Sequence, residues 1–133
     1  MKKILLTVFV VTLVLTSCGG KSHKKRNLDE TLYKYATLIR WSNFDGATTL
    51  LKQEENSKTA SKFELQRLKQ FKVSRYIESP IQPGKEENVV LQNVEIQYYN
   101  IHTNKSKTIY DHQSWEYDDD LQQWFLTTGL PKL

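Results

Sequence analysis

The chain has 133 residues, one cysteine and a formal net charge of +4. This length suits one domain, and a lone cysteine excludes an internal disulfide or a metal site of several thiolates. From Leu28 onward, the chain has 13 Lys and Arg and 15 Asp and Glu, so the basic excess lies in the N-terminal part. We expect no nucleic-acid binding, because the folded part has no basic face with interleaved aromatic residues.

Residues 1–17 have the pattern of a signal peptide. Lys2 and Lys3 form a positively charged start, and an apolar run from Ile4 to Leu15 follows, interrupted by two threonines. A membrane-spanning helix needs ~20 residues, so this run is short for one. An uncleaved transmembrane anchor is the alternative that the pattern leaves open.

The end of this leader, Leu15-Thr16-Ser17-Cys18, resembles the lipobox of bacterial lipoproteins. The resemblance implies cleavage before Cys18, a diacylglycerol on its sulfur and a further acyl chain on the new amine. At ~0.8 kcal/mol per buried methylene, two or three chains make membrane attachment effectively permanent. Gly19 replaces the Asp that retains such lipoproteins in the inner membrane. The resemblance therefore implies a cell-envelope protein, anchored in the outer membrane and facing the periplasm.

Residues 18–27 are predicted to be the lipidated cysteine and a flexible basic tether. The segment after Cys18 has two Gly and four Lys or Arg and is polar throughout. Its basic residues are either solvated or lie against anionic headgroups, where each charge contributes about 1 kcal/mol.

A first helix is predicted to start at Asn27 and to end at Arg40 or Trp41. Asn27 is a capping residue type, and Glu30 three residues later completes a capping box. Apolar residues then recur at helical spacing: Leu28, Leu32, Tyr35 and Ile39. We expect Arg40 to cap the last carbonyls and Trp41 to close the corner, an exposed recognition patch being the alternative.

Two shorter helices are predicted next. Ala47, Leu50 and Leu51 indicate the second, and a polar loop follows over residues 53–60. Ser61 and Glu64 form a capping box for the third, which should reach Gln70. Its buried side is predicted to contain Phe63 and Leu68.

From Phe71 onward, the spacing of the apolar residues changes from that of a helix to the alternation of strands. Alternating β-formers predict four strands, at Phe71–Ser79, Val89–His102, Lys107–Tyr117 and Gln122–Thr127. The predicted class is α+β, a single domain over residues 28–133, with three N-terminal helices packed on a curved four-stranded antiparallel sheet. Long strands bend, so this sheet should form a cone.

This order of elements over residues 28–129 is similar to the NTF2-like fold. Two segments, residues 38–47 and 126–131, also resemble a family of small, uncharacterised proteobacterial lipoproteins. That resemblance implies a location in the cell envelope and a fold, and it assigns no activity.

Two-residue turns at Asn104-Lys105 and Asp119-Asp120 would align the strands in three rows. The rows facing the helices are Val94, Trp115 and Trp124; Ile96, Gln113 and Leu126; and Tyr98, Asp111 and Thr128. Asp111 and Gln113 are polar groups on an apolar face, where an unpaired carboxylate is costly. The predicted pocket therefore contains Tyr98, Asp111 and Gln113. The alternative places them at an open rim, satisfied by backbone or water.

We expect a non-enzymatic domain that binds a small apolar ligand or an envelope protein, without cofactor or metal. One alternative is an isomerase or dehydratase whose base is Asp111, assisted by Tyr98 or Tyr110. Another is an accessory subunit of an envelope complex. By analogy with other proteins of this fold class, a homodimer formed through the sheet is a further expectation. His102 and His112 are predicted to lie too far apart to share a metal.

Overall fold

The computed structural model describes residues 19–53 and 60–133. The predicted leader, Cys18 and most of the predicted 53–60 loop lie outside these residues. The helical elements are α1 (Gly19–Arg40), α2 (Phe44–Ala47), a 3-10 turn (Thr48–Leu50) and α3 (Lys62–Leu68). The strands are β1 (Phe71–Glu78), β2 (Gln82–Pro83), β3 (Val89–Asn100), β4 (Ser106–Asp118) and β5 (Gln123–Leu126). The α+β order predicted from the sequence is confirmed.

Helix α1 buries the stripe that its apolar spacing predicted: Leu28, Leu32, Tyr35 and Ile39. Its predicted start at Asn27 is wrong, and so is the flexible tether, because the helix already runs from Gly19. Contacts with the sheet explain the difference. The indole N–H of Trp124 donates to the Lys24 carbonyl oxygen at 3.1 Å, and Asn27 donates to the Gln122 carbonyl at 3.1 Å.

The corner after α1 differs from the prediction. Trp41 is 79% exposed, and Phe44 is the aromatic residue that fills the corner. Ser42 takes a positive φ of 57°, and its hydroxyl accepts from the Val73 N–H at 2.9 Å. Because the chain turns toward the core only after Trp41, the Trp41 side chain stays exposed. Arg40 pairs with Glu78 on β1 at 3.0 Å instead of capping helix carbonyls.

The capping box of α3 is confirmed, because the Ser61 hydroxyl accepts from the Glu64 N–H at 3.1 Å. The predicted burial of Phe63 is wrong, since its side chain is 80% exposed. Phe63 and Leu68 are five residues apart, which places them about 140° apart around a helix. Leu68 faces the core, so Phe63 faces solvent.

The sheet is antiparallel with the order β1-β3-β4-β5. The two-residue strand β2, which the sequence did not predict, pairs with β3 beside β1. A register shift between Val73 and Arg75 marks a bulge in β1. Alternate residues of β3, β4 and β5 are buried against the helices, so the predicted inner face is confirmed.

The predicted rows on that face are wrong. Val94 pairs with Asp111 instead of Trp115, and Trp115 pairs with Leu126 instead of Trp124. Both turns are longer than two residues. Asn100 Oδ1 accepts from the N–H groups of His102 and Thr103, and Asp118 Oδ1 accepts from the Leu121 N–H.

Each register error equals an even number of residues, so it moves side chains along the inner face without turning them over. Thr128 is the exception. It lies beyond the end of β5 and is exposed.

Aromatic side chains fill the space between α1 and the sheet. Tyr35 stands edge-on to Trp115, with ring centroids 5.2 Å apart and an interplanar angle of 83°. Phe71 and Tyr98 form a second edge-on pair at 5.3 Å. At about 25 cal/mol per Å², burying one large aromatic side chain contributes roughly 4–6 kcal/mol.

Candidate functional site

Two of the three predicted pocket residues come together. Asp111 and Gln113 lie two residues apart on β4, so their side chains share the inner face. Gln113 Nε2 donates to Asp111 Oδ2 at 2.9 Å. Tyr98 is not part of this group, because it lies opposite Lys107 and packs on Phe71. The error follows from the four-residue register difference between β3 and β4.

Tyr76 on β1 occupies the place that was predicted for Tyr98. Gln113 Nε2 donates to the Tyr76 hydroxyl oxygen at 3.1 Å, and both side chains are buried. The Arg40 guanidinium lies over the Tyr76 ring, 5.1 Å from its centroid. Strand alternation from Phe71 and Val73 would put Tyr76 on the outer face. The bulge between Val73 and Arg75 turns it inward, so its contact with Gln113 required the tertiary structure.

The Gln113 amide is held in one orientation. The Trp115 indole N–H donates to Gln113 Oε1 at 3.2 Å. An indole is a donor only, so the amide oxygen must face it and Nε2 must face Tyr76 and Asp111. Tyr76 therefore accepts from Gln113 and keeps its own proton to donate.

Tyr35 completes the group from the side of α1. Its hydroxyl is buried and has no hydrogen-bond partner among the described residues. An unsatisfied buried donor costs about 1–3 kcal/mol. Burial raises the pKa of Tyr35 well above its usual value, and the charges of Asp111 and Tyr76 raise it further. The group therefore stays protonated. The sequence missed it because its apolar helix spacing gave the ring a packing role only.

We call Tyr35, Tyr76, Asp111 and Gln113 the interior polar cluster. Burial raises the pKa of the Asp111 carboxyl, against the opposing effects of the Gln113 hydrogen bond and the His112 charge. Burial likewise raises the pKa of Tyr76. Asp111 is partly exposed and the other three members are buried, so solvent reaches the cluster on the Asp111 side.

Two cavities lie away from this cluster. One, of about 240 Å³, lies between α1 and the β4–β5 loop and includes Glu30, Lys34 and Gln122. The other, of about 420 Å³, lies between Leu51 and the C-terminal segment that contains Leu130. Neither is lined by a member of the interior polar cluster.

His112 and the acidic turn at residues 118–120 are not part of the interior polar cluster. His112 lies on the outer face with Nδ1 2.6 Å from Oδ1 of Asn93, its cross-strand partner. Asp119 accepts a hydrogen bond from Asn88 at 3.1 Å. Across residues 19–53 and 60–133, no three His, Cys, Asp or Glu side chains gather as a metal site would require.

Comparisons with known proteins support the fold. No protein-family model matches the chain, and neither does any curated protein. Among solved structures, a proposed calcium/calmodulin-dependent kinase II association domain from Exiguobacterium sibiricum matches with a TM-score of 0.56 and 14% identity. That match covers 88% of this chain and 98% of the other.

Two further structures match over most of both chains. A proposed scytalone dehydratase from Novosphingobium aromaticivorans has a TM-score of 0.55 and 14% identity, covering 80% of this chain and 81% of its own. A proposed polyketide cyclase from Xanthomonas campestris pv. campestris has a TM-score of 0.52 and 10% identity, covering 78% and 90%. These likenesses support the predicted NTF2-like fold, and at such identities they show the fold alone.

In the described part of the chain, no helix combines the length and apolar character needed to cross a membrane.

Proposed function

We propose that this chain is a lipoprotein of the cell envelope whose domain binds a small neutral molecule at the interior polar cluster. Cys18 carries the lipid that anchors the protein in the outer membrane, and the domain faces the periplasm. The buried Tyr35 hydroxyl carries the binding proposal, because it is a donor without a partner among the described residues and the charge of Asp111 acts on it.

The chemistry of the cluster selects the class of ligand. Tyr35 offers a proton, while Asp111 Oδ1 accepts no hydrogen bond from the described residues. A ligand hydroxyl can accept from the first and donate to the second. The Trp115 ring packs edge-on against Tyr35 beside the cluster, so the remainder of the ligand should be apolar. An anion is disfavoured, because it would meet the Asp111 carboxylate.

The route to Tyr35 passes Asp111. Tyr35, Tyr76 and Gln113 are buried, whereas Asp111 is partly exposed. A ligand that approaches Tyr35 from this side would displace the Asp111 side chain from its resting position. Binding should consequently disturb the Gln113 amide and, through it, the Trp115 indole N–H.

Phenol and benzene are matched probes, because they differ by one hydroxyl group. We expect phenol to shift the Trp115 indole N–H resonance in NMR titrations and to bind at least about tenfold more tightly than benzene. Tenfold corresponds to roughly 1.4 kcal/mol, the contribution of one hydrogen bond to otherwise unpaired buried groups.

Tyr35→Phe should abolish the preference for phenol. Tyr33→Phe is the matched control, because Tyr33 lies on the same helix and is 72% exposed. Equal affinities for the two probes in the unmodified protein would contradict the binding proposal.

A second candidate function is proton transfer. The observation that favours it is the raised pKa of Asp111, whose partner Gln113 also donates to the Tyr76 hydroxyl. Asp111 would remove a proton next to a ligand carbonyl, and Tyr35 would donate a hydrogen bond to the oxygen that gains charge. Two of the matched structures are described as a proposed cyclase and a proposed dehydratase.

Deuterium exchange at the α-carbons of cyclohexanone tests this candidate by NMR. If it holds, the protein accelerates the exchange, and Asp111→Asn lowers the accelerated rate at least about 100-fold. Exchange no faster than in buffer, together with phenol binding, would leave a binding domain and reject the enzyme.

A further inference from the structure

We propose that an exposed basic arc at the start of α1, formed by Lys21, Lys25 and Arg26, docks on an anionic phospholipid surface. The docked arc holds the domain in a fixed orientation on the membrane. The lipid on Cys18 is a premise from the proposed function, since it brings the helix to the bilayer.

The charge of this segment is one-sided. Residues 19–28 include four Lys or Arg and no Asp or Glu, whereas the chain from Leu28 onward has a net charge of −2. Lys21, Lys25 and Arg26 are exposed, and within the described residues none of them has a hydrogen bond or ion pair. Positive charge is therefore concentrated next to the lipid attachment point.

Lys24 attaches the start of α1 to the sheet. Its ammonium group bonds to Asn88 Oδ1 and lies 4.4 Å from the Tyr117 ring centroid. Trp124 also donates to the Lys24 carbonyl at 3.1 Å. Successive residues of a helix are rotated by about 100°, so Arg26 lies on the opposite side of α1 from Lys24. Lys21 and Lys25 lie about 60° and about 100° from Lys24 around the helix, and both are exposed.

The arc is within reach of the membrane. Helix α1 begins one residue after Cys18, and Lys25 follows Cys18 by seven residues, about 10 Å along a helix. A flexible tether would let these charges move independently of the domain. Because Lys24 attaches the helix to the sheet, docking of these charges on the membrane also fixes the orientation of the domain. Each basic residue near an anionic surface favours attachment by roughly fivefold, and salt weakens the effect.

Lysine acetylation of the lipidated protein on vesicles tests the proposal. The vesicles contain phosphatidylcholine alone or with phosphatidylglycerol, and mass spectrometry gives the labelling rates. Exposed Lys105 on the β3–β4 loop is the internal reference. Relative to Lys105, we expect Lys21 and Lys25 to react roughly fivefold or more slowly with phosphatidylglycerol present, and at the unprotected rate in high salt.

Two charge-matched variants control for net charge. Lys25→Glu with Arg26→Glu should remove the protection of Lys21, whereas Lys72→Glu with Arg75→Glu on β1 should retain it. Equal labelling of Lys21 on both vesicles, with acyl chains present on Cys18, overturns the docking and leaves the anchor standing. A Cys18 without acyl chains overturns the anchor and the docking premise together.

Discussion

The Trp115 indole N–H donates to Gln113 Oε1 across 3.2 Å, between side chains two residues apart on β4. Because both groups are buried, this bond fixes the Gln113 amide and directs Nε2 to Tyr76 and Asp111. A residue of the hydrophobic core thus determines the orientation of the polar groups in the candidate site.

Gln113→Glu preserves the shape of this side chain and removes its donor. The new carboxylate would face Asp111 and the Tyr76 hydroxyl oxygen in a buried position. The Trp115 indole and the Tyr76 hydroxyl can still donate to it, so we expect the free energy of unfolding at neutral pH to fall by roughly 1–3 kcal/mol, from the lost donor to Asp111 and the buried charge. Urea denaturation measures it. Gln97→Glu on the outer face is the control, and an equal effect of both changes would contradict the assigned network.

Tyr35→Phe should stabilise the protein. The change removes a buried hydroxyl that has no partner and leaves the ring against Trp115 in place. The expected gain in the free energy of unfolding is about 1–3 kcal/mol. Calorimetry measures this gain. A loss of stability would mean that the hydroxyl already has a partner, and it would remove the main support for the binding proposal.

Asp111 should lower stability as the pH rises. Its pKa in the folded state is raised by burial, so the folded state binds this proton more tightly than the unfolded state does. Its contribution to stability is therefore fully present below the unfolded pKa of about 4 and is lost as the pH rises through the folded pKa.

Asp111→Asn should remove this pH dependence and be more stable than the unmodified protein at pH 7. The two proteins should converge at acidic pH. Denaturation curves across the pH range measure the difference. A constant difference at every pH would show that the pKa of Asp111 is not raised by folding.

Trp115→Ala should cost roughly 3–5 kcal/mol, because it empties the centre of the core between α1 and the sheet. Trp41→Ala is the matched control. Trp41 is exposed, so its removal should change the free energy of unfolding by about 0.5 kcal/mol or less. Denaturant midpoints report both changes, and an unaltered midpoint for Trp115→Ala would mean that the inner face is misassigned.

The fold was predictable because periodicity determines which side of an element is buried. Strand alternation identified the inner face of β3 and β4 even though both registers were wrong. Register depends on the lengths of the turns. Backbone N–H groups that donate to the side-chain oxygens of Asn100 and Asp118 stabilise longer turns than the sequence suggested. The helical start of α1 also depends on distant contacts, above all those of Lys24.

The candidate site was predictable in part. Asp111 and Gln113 stood out as polar residues on an apolar face, a local property of β4. Tyr35 and Tyr76 contribute hydroxyl groups from two other elements, and only the packing of α1 and β1 on β4 brings them there. The Tyr35 ring satisfies the apolar spacing of α1, which does not distinguish a tyrosine used for packing from one used for its hydroxyl. Tyr76 does not follow the alternation that begins at Phe71, because a bulge between Val73 and Arg75 turns it inward.

The mass of the N-terminal peptide of the mature protein, isolated from cell membranes, tests the anchor most directly. We expect a chain that begins at Cys18 and carries two or three acyl chains, and we expect Cys18→Ser to lose its attachment to the membrane. A soluble chain that begins at Met1, with an unmodified cysteine at position 18, would contradict it.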